Sequence, residues 1–235
     1  MDIKHIVSFS GGKDSTAMLL MMLENGMQID EIVFCDTGKE FPDMYHHIKQ
    51  VENYIQRPIT TIKFEKDFDY LMLKNIKTKG KSKGQAGYGW PLSSTRWCTT
   101  LLKRDLFQRY VKQKYAGDFK SYIGMAFDEP DRTKNKKTNQ EYPLFDWRVT
   151  EGEALKYCYE KGFTWGGLYT RFSRVSCYCC PFKSLKDLRA LYFFYPGLWE
   201  DIKQMDKLSR NTFRNDYALE ELEKRFILSV NKEAS

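Results

Sequence analysis

No apolar run in this 235-residue sequence approaches the roughly 20 residues needed to span a bilayer. Its opening, MDIKHIVSFSGG, has no basic segment leading into a signal-peptide core and cleavage site. Together these absences predict a cytoplasmic protein with no membrane partner. Neither the Walker pattern nor GxGxxG occurs, and no stretch repeats. Histidine is scarce, at three residues. Two of these, His46 and His47, are neighbours on a predicted helix, so they point apart, make no metal pair and read as surface residues. After Cys180 there is no cysteine at all. The six present are Cys35, Cys98, Cys158, Cys177, Cys179 and Cys180, and in a cytosolic chain they do not read as a disulfide framework. Cys35 and Cys158 fall inside a predicted strand and helix and read as core thiols.

Apolar and aromatic residues suffice for a sizeable core. Lys and Arg exceed Asp and Glu by 38 to 31, and a formal charge of +7 suits an anionic partner, whether nucleotide or nucleic acid. Ile3 to Phe9 reads as a buried strand, Thr16 to Asn25 as a buried helix stopped by Gly26, and Ile32 to Cys35 as a second strand ending at Asp36. Phe41, Met44, Tyr45, Ile48, Val51 and Ile55 share a helical face, and PITTIKF gives a third strand. A helix from about Thr99 to Tyr115, stopped by Gly117, precedes a strand at Tyr122 to Phe127 and a polar loop. Thr150 and Glu153 form a capping-box pattern. The alternation predicts an α/β fold: a twisted parallel sheet flanked by helices, with a helical C-terminal region. We place a boundary near Thr150, giving a nucleotide-binding core over 1–150 and a cysteine-bearing helical region over 151–235.

Between the first strand and helix lies Ser10-Gly11-Gly12-Lys13-Asp14-Ser15. A strand that stops at glycines and re-emerges as a helix brings backbone N–H groups to one point, where the helix dipole favours an anion. The glycines permit close approach, Lys13 adds a point charge for phosphate, the serine hydroxyls donate, and Asp14 caps the helix or holds a divalent cation. The alternative is a plain Gly-Gly connection with a capped helix. From Lys74 to Thr95 runs a long loop in which Lys74, Lys77, Lys79, Lys81 and Lys83 precede Tyr88 and Trp90. Lys134, Lys136 and Lys137 add charge in the second loop. Basic residues interleaved with aromatics suit phosphates and stacked bases, or closure over a nucleotide. The alternative is a solvated lysine loop.

SGGKDS resembles the PP-loop of the adenine nucleotide α-hydrolase-like superfamily. VFCDTGKEFPDMY, RWCTTLLKRDLF, YIGMAFDEPDR and YPLFDW are similar, in order, to segments of the phosphoadenosine phosphosulfate (PAPS) reductase family. The resemblance runs from about Ile3 to Phe182. It implies that Ser10, Gly11, Gly12, Lys13, Asp14 and Ser15 hold nucleotide phosphates. Asp36, Thr37 and Gly38 would then lie beside the nucleotide, with Arg96, Lys103 and Arg132 contacting anionic groups. Lys13, Asp14 and Arg132 are the implied catalytic set.

SCYCCPF contains a C-x-x-C pair, Cys177 and Cys180, followed by Pro181, and Cys98 immediately precedes a predicted helix, which favours thiolate. The iron–sulfur sulfonucleotide reductases, to which this chain is similar, pair a vicinal Cys–Cys with a distant C-x-x-C. Trp97 stands where the first of the vicinal pair would be. The resemblance therefore implies ligands Cys98, Cys177 and Cys180, with Cys179 a possible fourth or one iron left open. A 4Fe-4S cluster, zinc and inert thiols are the alternatives. Reductases of this type also carry a C-terminal catalytic cysteine, which is missing here.

The expectation is thus an ATP- and Mg²⁺-using PP-loop enzyme that adenylates an acceptor. It would transfer sulfur to a nucleic acid (tRNA or DNA), with a sulfur-donor protein and an iron–sulfur cluster. The alternatives are a PAPS or adenosine phosphosulfate reductase, and a non-catalytic nucleotide-binding subunit of a larger assembly.

Overall fold

The computed structural model describes residues 2–80, 83–116, 118–134 and 136–233. Lys81 of the basic loop and the helix stop Gly117 lie outside the described residues. The principal elements are, in order, β1 (Lys4–Phe9), α1 (Lys13–Glu24), β2 (Glu31–Asp36), α2 (Pro42–Ile55), β3 (Ile59–Lys63), α3 (Phe68–Leu73), α4 (Asp105–Tyr115), β4 (Phe119–Ile123), β5 (Gln140–Glu141), α5 (Glu151–Glu160), α6 (Leu185–Phe194), α7 (Pro196–Leu208) and α8 (Leu219–Glu233). The chain divides into two compact units, Met1–Phe64 with Thr99–Leu168, and Glu65–Cys98 with Tyr169–Ser235. Both are discontinuous in sequence, so neither coincides with the division at Thr150.

The first unit is α/β. Its five strands lie in the order β3-β2-β1-β4-β5, and every neighbouring pair is parallel. Successive strand residues face opposite sides of a sheet. Ile6 and Val7 are adjacent in β1 and both are fully buried, so the sheet is covered on both faces. On one side Ile6, Val33, Ile62 and Phe119 pack with Phe107 and Val111 of α4. Parallel strands need crossover connections, and β1 is followed on one side by β2 and on the other by β4. The strand order therefore reverses at β1, and ligands of open α/β sheets bind at the carboxyl ends of strands beside such a reversal.

Three departures from the sequence reading concern this unit. The fourth strand is Phe119–Ile123, three residues earlier than expected. Gly124 then leaves the sheet beside α1, where a Cβ on it would stand 2.7 Å from the Ser15 nitrogen. The polar segment after it contributes a two-residue edge strand, β5, paired through Ser121–Gln140 and Tyr122–Glu141. The helix ending at Tyr115 starts as a short turn at Trp97–Thr99 and passes through a π-helical turn, Thr100–Arg104, before α4. Such turns are rare and gather at functional sites.

The second unit contains α3, α6, α7, α8 and the lysine-rich excursion. The excursion folds back on α3: the N–H groups of Gly87, Tyr88 and Gly89 donate to the carbonyls of Asn75, Leu71 and Met72. Trp90 is not the base-stacking aromatic the sequence suggested. It is 1% exposed, its indole N–H donates to Asp206 (2.7 Å), and its ring meets Phe213 edge-on. Trp199 packs against Tyr192 and Phe226, its indole N–H bonded to Glu223. No helix among the described residues is long and apolar enough to cross a membrane.

Candidate nucleotide site

The turn between β1 and α1 sits at the carboxyl end of the strand where the sheet order reverses. Gly11 has φ +77°, in the left-handed region, and a Cβ there would lie 2.6 Å from Met44 Sδ and 3.0 Å from Ile48. Glycine is thus required twice over, by conformation and by space. Gly12 is the N-cap of α1 and supplies no side chain to cap it. The hydroxyls brace the turn from inside. Ser15 Oγ donates to Gly12 O (3.0 Å), accepts from the Ser10 N–H (3.2 Å), and lies 2.9 Å from Ser10 Oγ.

Beneath the turn is a group the sequence reading missed. His47 is fully buried, not a surface residue. Its Nε2 is 3.0 Å from Thr16 Oγ1, and its ring stacks on Trp165 at 4.2 Å. The Trp165 indole N–H donates to Gly11 O at 2.7 Å. Burial holds the imidazole neutral, with its pKa pushed down to about 3. Trp165 itself adopts φ +50°, an outlier for a bulky residue, and the following Gly166 leaves no room for a Cβ beside Asp43. The signal for His47 was present: it fills the i+3 slot of the apolar face formed by Met44, Ile48 and Val51. Trp165 is 154 positions from its acceptor and carries no local signal.

Lys13 is the cation of the turn. Its Nζ lies 2.6 Å from Glu151 Oε2 and 3.1 Å from Asp14 Oδ2, with a side chain only 12% exposed. Burial opposes its charge, but the Coulombic pull of Asp14 and hydrogen bonds to both carboxylates outweigh it, so its pKa rises. Asp14 shifts upward because burial outweighs the pull of Lys13. Its Oδ1 is buried with no hydrogen-bond partner among the described residues. Glu151 opens α5, whose capping box is formed as the sequence predicts: the Thr150 hydroxyl accepts from the Glu153 N–H, and Glu153 accepts from the Thr150 N–H. The Glu151 N–H in turn donates to Asp128 (2.9 Å).

At the end of β2, Asp36 accepts from the Gly38 N–H (2.8 Å) and the Tyr45 hydroxyl (2.7 Å), and pairs with Lys63 (2.9 Å). Burial pushes its carboxyl up, but these three donors hold it below the usual range. Thr37 Oγ1 accepts from the Lys39 N–H, and Gly38 has φ +71° with open space about it. Lys103, in the π-helical turn, pairs with the buried Glu40 at 3.1 Å. Arg132 lies on a short helix, Pro130–Thr133, bonded to Glu129 (2.6 Å). The first unit therefore holds the turn, Asp36–Gly38, Lys103 and Arg132. Arg96 belongs to the second unit, with its guanidinium 4.5 Å from the centre of the Phe182 ring.

The cysteines separate by environment. Cys35 and Cys158 belong to the first unit, with pKa values pushed up by burial to about 11 and about 12. Cys158 Sγ donates to Lys13 O (3.6 Å), so this thiol supports the start of α1. Cys98, Cys177, Cys179 and Cys180 all belong to the second unit. The C-x-x-C segment closes a turn, the Cys180 N–H donating to Cys177 O at 3.2 Å, while Cys179 is buried. Yet among the described residues no three His, Cys, Asp or Glu side chains are arranged to hold a metal ion.

A parallel sheet whose order reverses beside a glycine turn, with a lysine at the start of the following helix, defines an α/β protein whose turn can receive an anion. Residues 4–114, a little under half of the chain, match the phosphoadenosine phosphosulfate reductase domain, and over this segment the chain is similar to that family. Two uncharacterized proteins of Methanocaldococcus jannaschii are similar to it. One is 27% identical over 214 residues (83% of this chain, 40% of the relative), the other 29% over 223 residues (90% and 49%). An uncharacterized nin region protein, ORF290, of Escherichia phage lambda is 28% identical over 148 residues (56% and 51%). The chain thus spans about half the length of the curated relatives it matches, or less. Among solved structures, the U34-tRNA thiolase NcsA from Methanococcus maripaludis with its 4Fe-4S cluster aligns with a TM-score of 0.47 at 15% identity, over 88% of this chain and 72% of that one.

Proposed function

We propose that the Ser10–Ser15 turn binds the phosphates of ATP and that the chain is an ATP-dependent enzyme of sulfur transfer to nucleic acid. The observation that carries the nucleotide half is Lys13. It is a mostly buried ammonium at the N-terminus of an uncapped helix, beside a glycine whose conformation and packing admit no side chain. In the proposed reaction an acceptor oxygen attacks the α-phosphorus, the α–β bond breaks and pyrophosphate leaves. A sulfur nucleophile from a donor protein then displaces AMP. Lys13 would exchange Glu151 for phosphate oxygens and stabilise the charge that develops on them. The orphaned Oδ1 of Asp14 fits a Mg²⁺ ion, which needs only one or two carboxylates when phosphates complete its shell. That ion would supply charge neutralisation. No step of this reading is routed through the cysteines.

The rival reading is sulfonucleotide reduction. The test is parallel titration of the purified chain with ATP–Mg²⁺ and with PAPS, followed by a pyrophosphate-release assay with candidate acceptors. ATP binding that is abolished by Lys13→Ala supports the proposal. Preference for PAPS with sulfite release would replace it with the reductase reading, and ATP binding without turnover on any acceptor would favour a nucleotide-binding subunit.

A further inference from the structure

The chain's excess positive charge is not spread evenly. The first unit carries 19 basic and 19 acidic residues, the second 19 basic and 12 acidic, so the whole formal +7 lies in the second unit. That unit also contains a cavity of about 360 Å³. Leu92, Phe182 and Phe213 give it apolar walls, and Ser94, Asn215 and Asp216 place polar groups at its edge. Its size is at the low end of ligand sites, which run from roughly 300 to 1,000 Å³, and suits one planar heterocycle better than a dinucleotide.

The walls are fixed in advance. Arg214 donates from one nitrogen to Pro181 O (3.1 Å) and Lys183 O (2.8 Å), and holds Asp216 through two others, each at 2.6 Å. The Phe213 N–H donates to Asp206, the same carboxylate that holds the Trp90 indole. Trp90 in turn exchanges backbone hydrogen bonds with the Asn211 side chain. One wall is nevertheless left open to solvent: Phe182 is 40% exposed, with the Arg96 guanidinium 4.5 Å from its ring centre. An exposed aromatic ring beside a guanidinium, in a preformed slot on a basic unit, is the arrangement that stacks a base while nearby cations hold its phosphates.

We propose that this cavity is a nucleobase subsite for a single-stranded nucleic-acid acceptor, with the base stacked on Phe182 and the backbone held by the unit's surplus charge. The inference rests on the nucleic-acid half of the proposed function and names where that acceptor is gripped. It is tested by fluorescence anisotropy of the full chain with labelled single-stranded DNA and RNA of about 12 nucleotides, a length spanning one such site. The two probes distinguish the possible sources of the base. The expected result is binding that weakens with salt and falls roughly 10-fold in Phe182→Ala, is retained in Phe182→Tyr, and falls similarly when the wild-type chain meets an abasic strand. ATP binding should be unchanged in both variants. Equal affinity of wild type and Phe182→Ala, or full-strength binding of the abasic strand, would overturn the subsite. If ATP binds but neither strand does, the subsite fails while the nucleotide reading stands. If Phe182-dependent strand binding persists without ATP binding, the reverse holds.

Discussion

Replacing Gly11 by alanine separates two demands that the turn between β1 and α1 makes on one position. The first is conformational: at φ +77° an L side chain costs about 1–2 kcal/mol. The second is steric. The new Cβ would stand 2.6 Å from Met44 Sδ and 3.0 and 3.2 Å from two carbons of Ile48, and both neighbours are buried with little freedom to withdraw. Overpacking of this kind costs about 1–3 kcal/mol. Gly38 is the internal control. Its φ is +71°, but nothing lies within 4 Å of a Cβ there, so Gly38→Ala carries only the conformational cost. The two variants should therefore differ by about 1–3 kcal/mol in urea unfolding, with Gly11→Ala the less stable. At a slope of roughly 2 kcal/mol per molar, its midpoint should lie about 0.5–1.5 M lower. In a double variant, Met44→Ala should cost less in the Gly11→Ala background than alone, because the truncated side chain relieves the clash. Coincident midpoints for Gly11→Ala and Gly38→Ala, or additive behaviour with Met44→Ala, would refute the steric argument.

Three further outcomes are expected. Glu151→Gln should tighten ATP by up to about fivefold, since phosphate must displace a half-exposed carboxylate whose pair with Lys13 is worth up to about 1 kcal/mol; unchanged or weaker binding in a direct titration would count against that displacement. His47 stays neutral in the folded protein down to about pH 3, whereas the unfolded chain takes up its proton near pH 6.5. Stability should therefore fall as pH drops from about 6.5 to 5, by at most about 1.4 kcal/mol per unit, and His47→Gln should flatten that slope in chemical unfolding at a series of pH values. In the folded protein at pH 8, iodoacetamide should leave Cys35 and Cys158 unmodified, because burial raises their pKa values to about 11 and about 12 and suppresses thiolate; peptide mass spectrometry showing early labelling of either would contradict their placement.

What could be read from the sequence was local. The strand, glycine turn and helix at Ile3–Asn25 announce themselves within one window, as does the Thr150–Glu153 capping box, because their determinants lie within a few residues of one another. His47 was misjudged because its polar identity outweighed its position on the apolar face of α2. Trp90 was misjudged for the opposite reason: an aromatic in a polar, glycine-rich segment looked exposed, yet Asp206 and Asn211, more than a hundred residues on, bury it. The partners of Lys13 and Gly11, Glu151 and Trp165, are equally distant. The strand at Phe119–Ile123 was displaced in the reading because the apolar run continues past Gly124, where close approach to α1 draws the chain out of the sheet.

The indole of Trp165 bears on how this protein is made and cut. The glycine turn is translated well before its support: one of its carbonyls is held by a side chain that leaves the ribosome 154 positions later, after the excursion at 65–98 has also been synthesised. The turn cannot reach its final geometry as a nascent strand and helix. It must wait for α5 and the 165–167 turn. A recombinant fragment ending at Thr150 would keep every residue of SGGKDS and lose both Glu151 and Trp165. It would carry the signature of the site without the parts that set its charge and its shape.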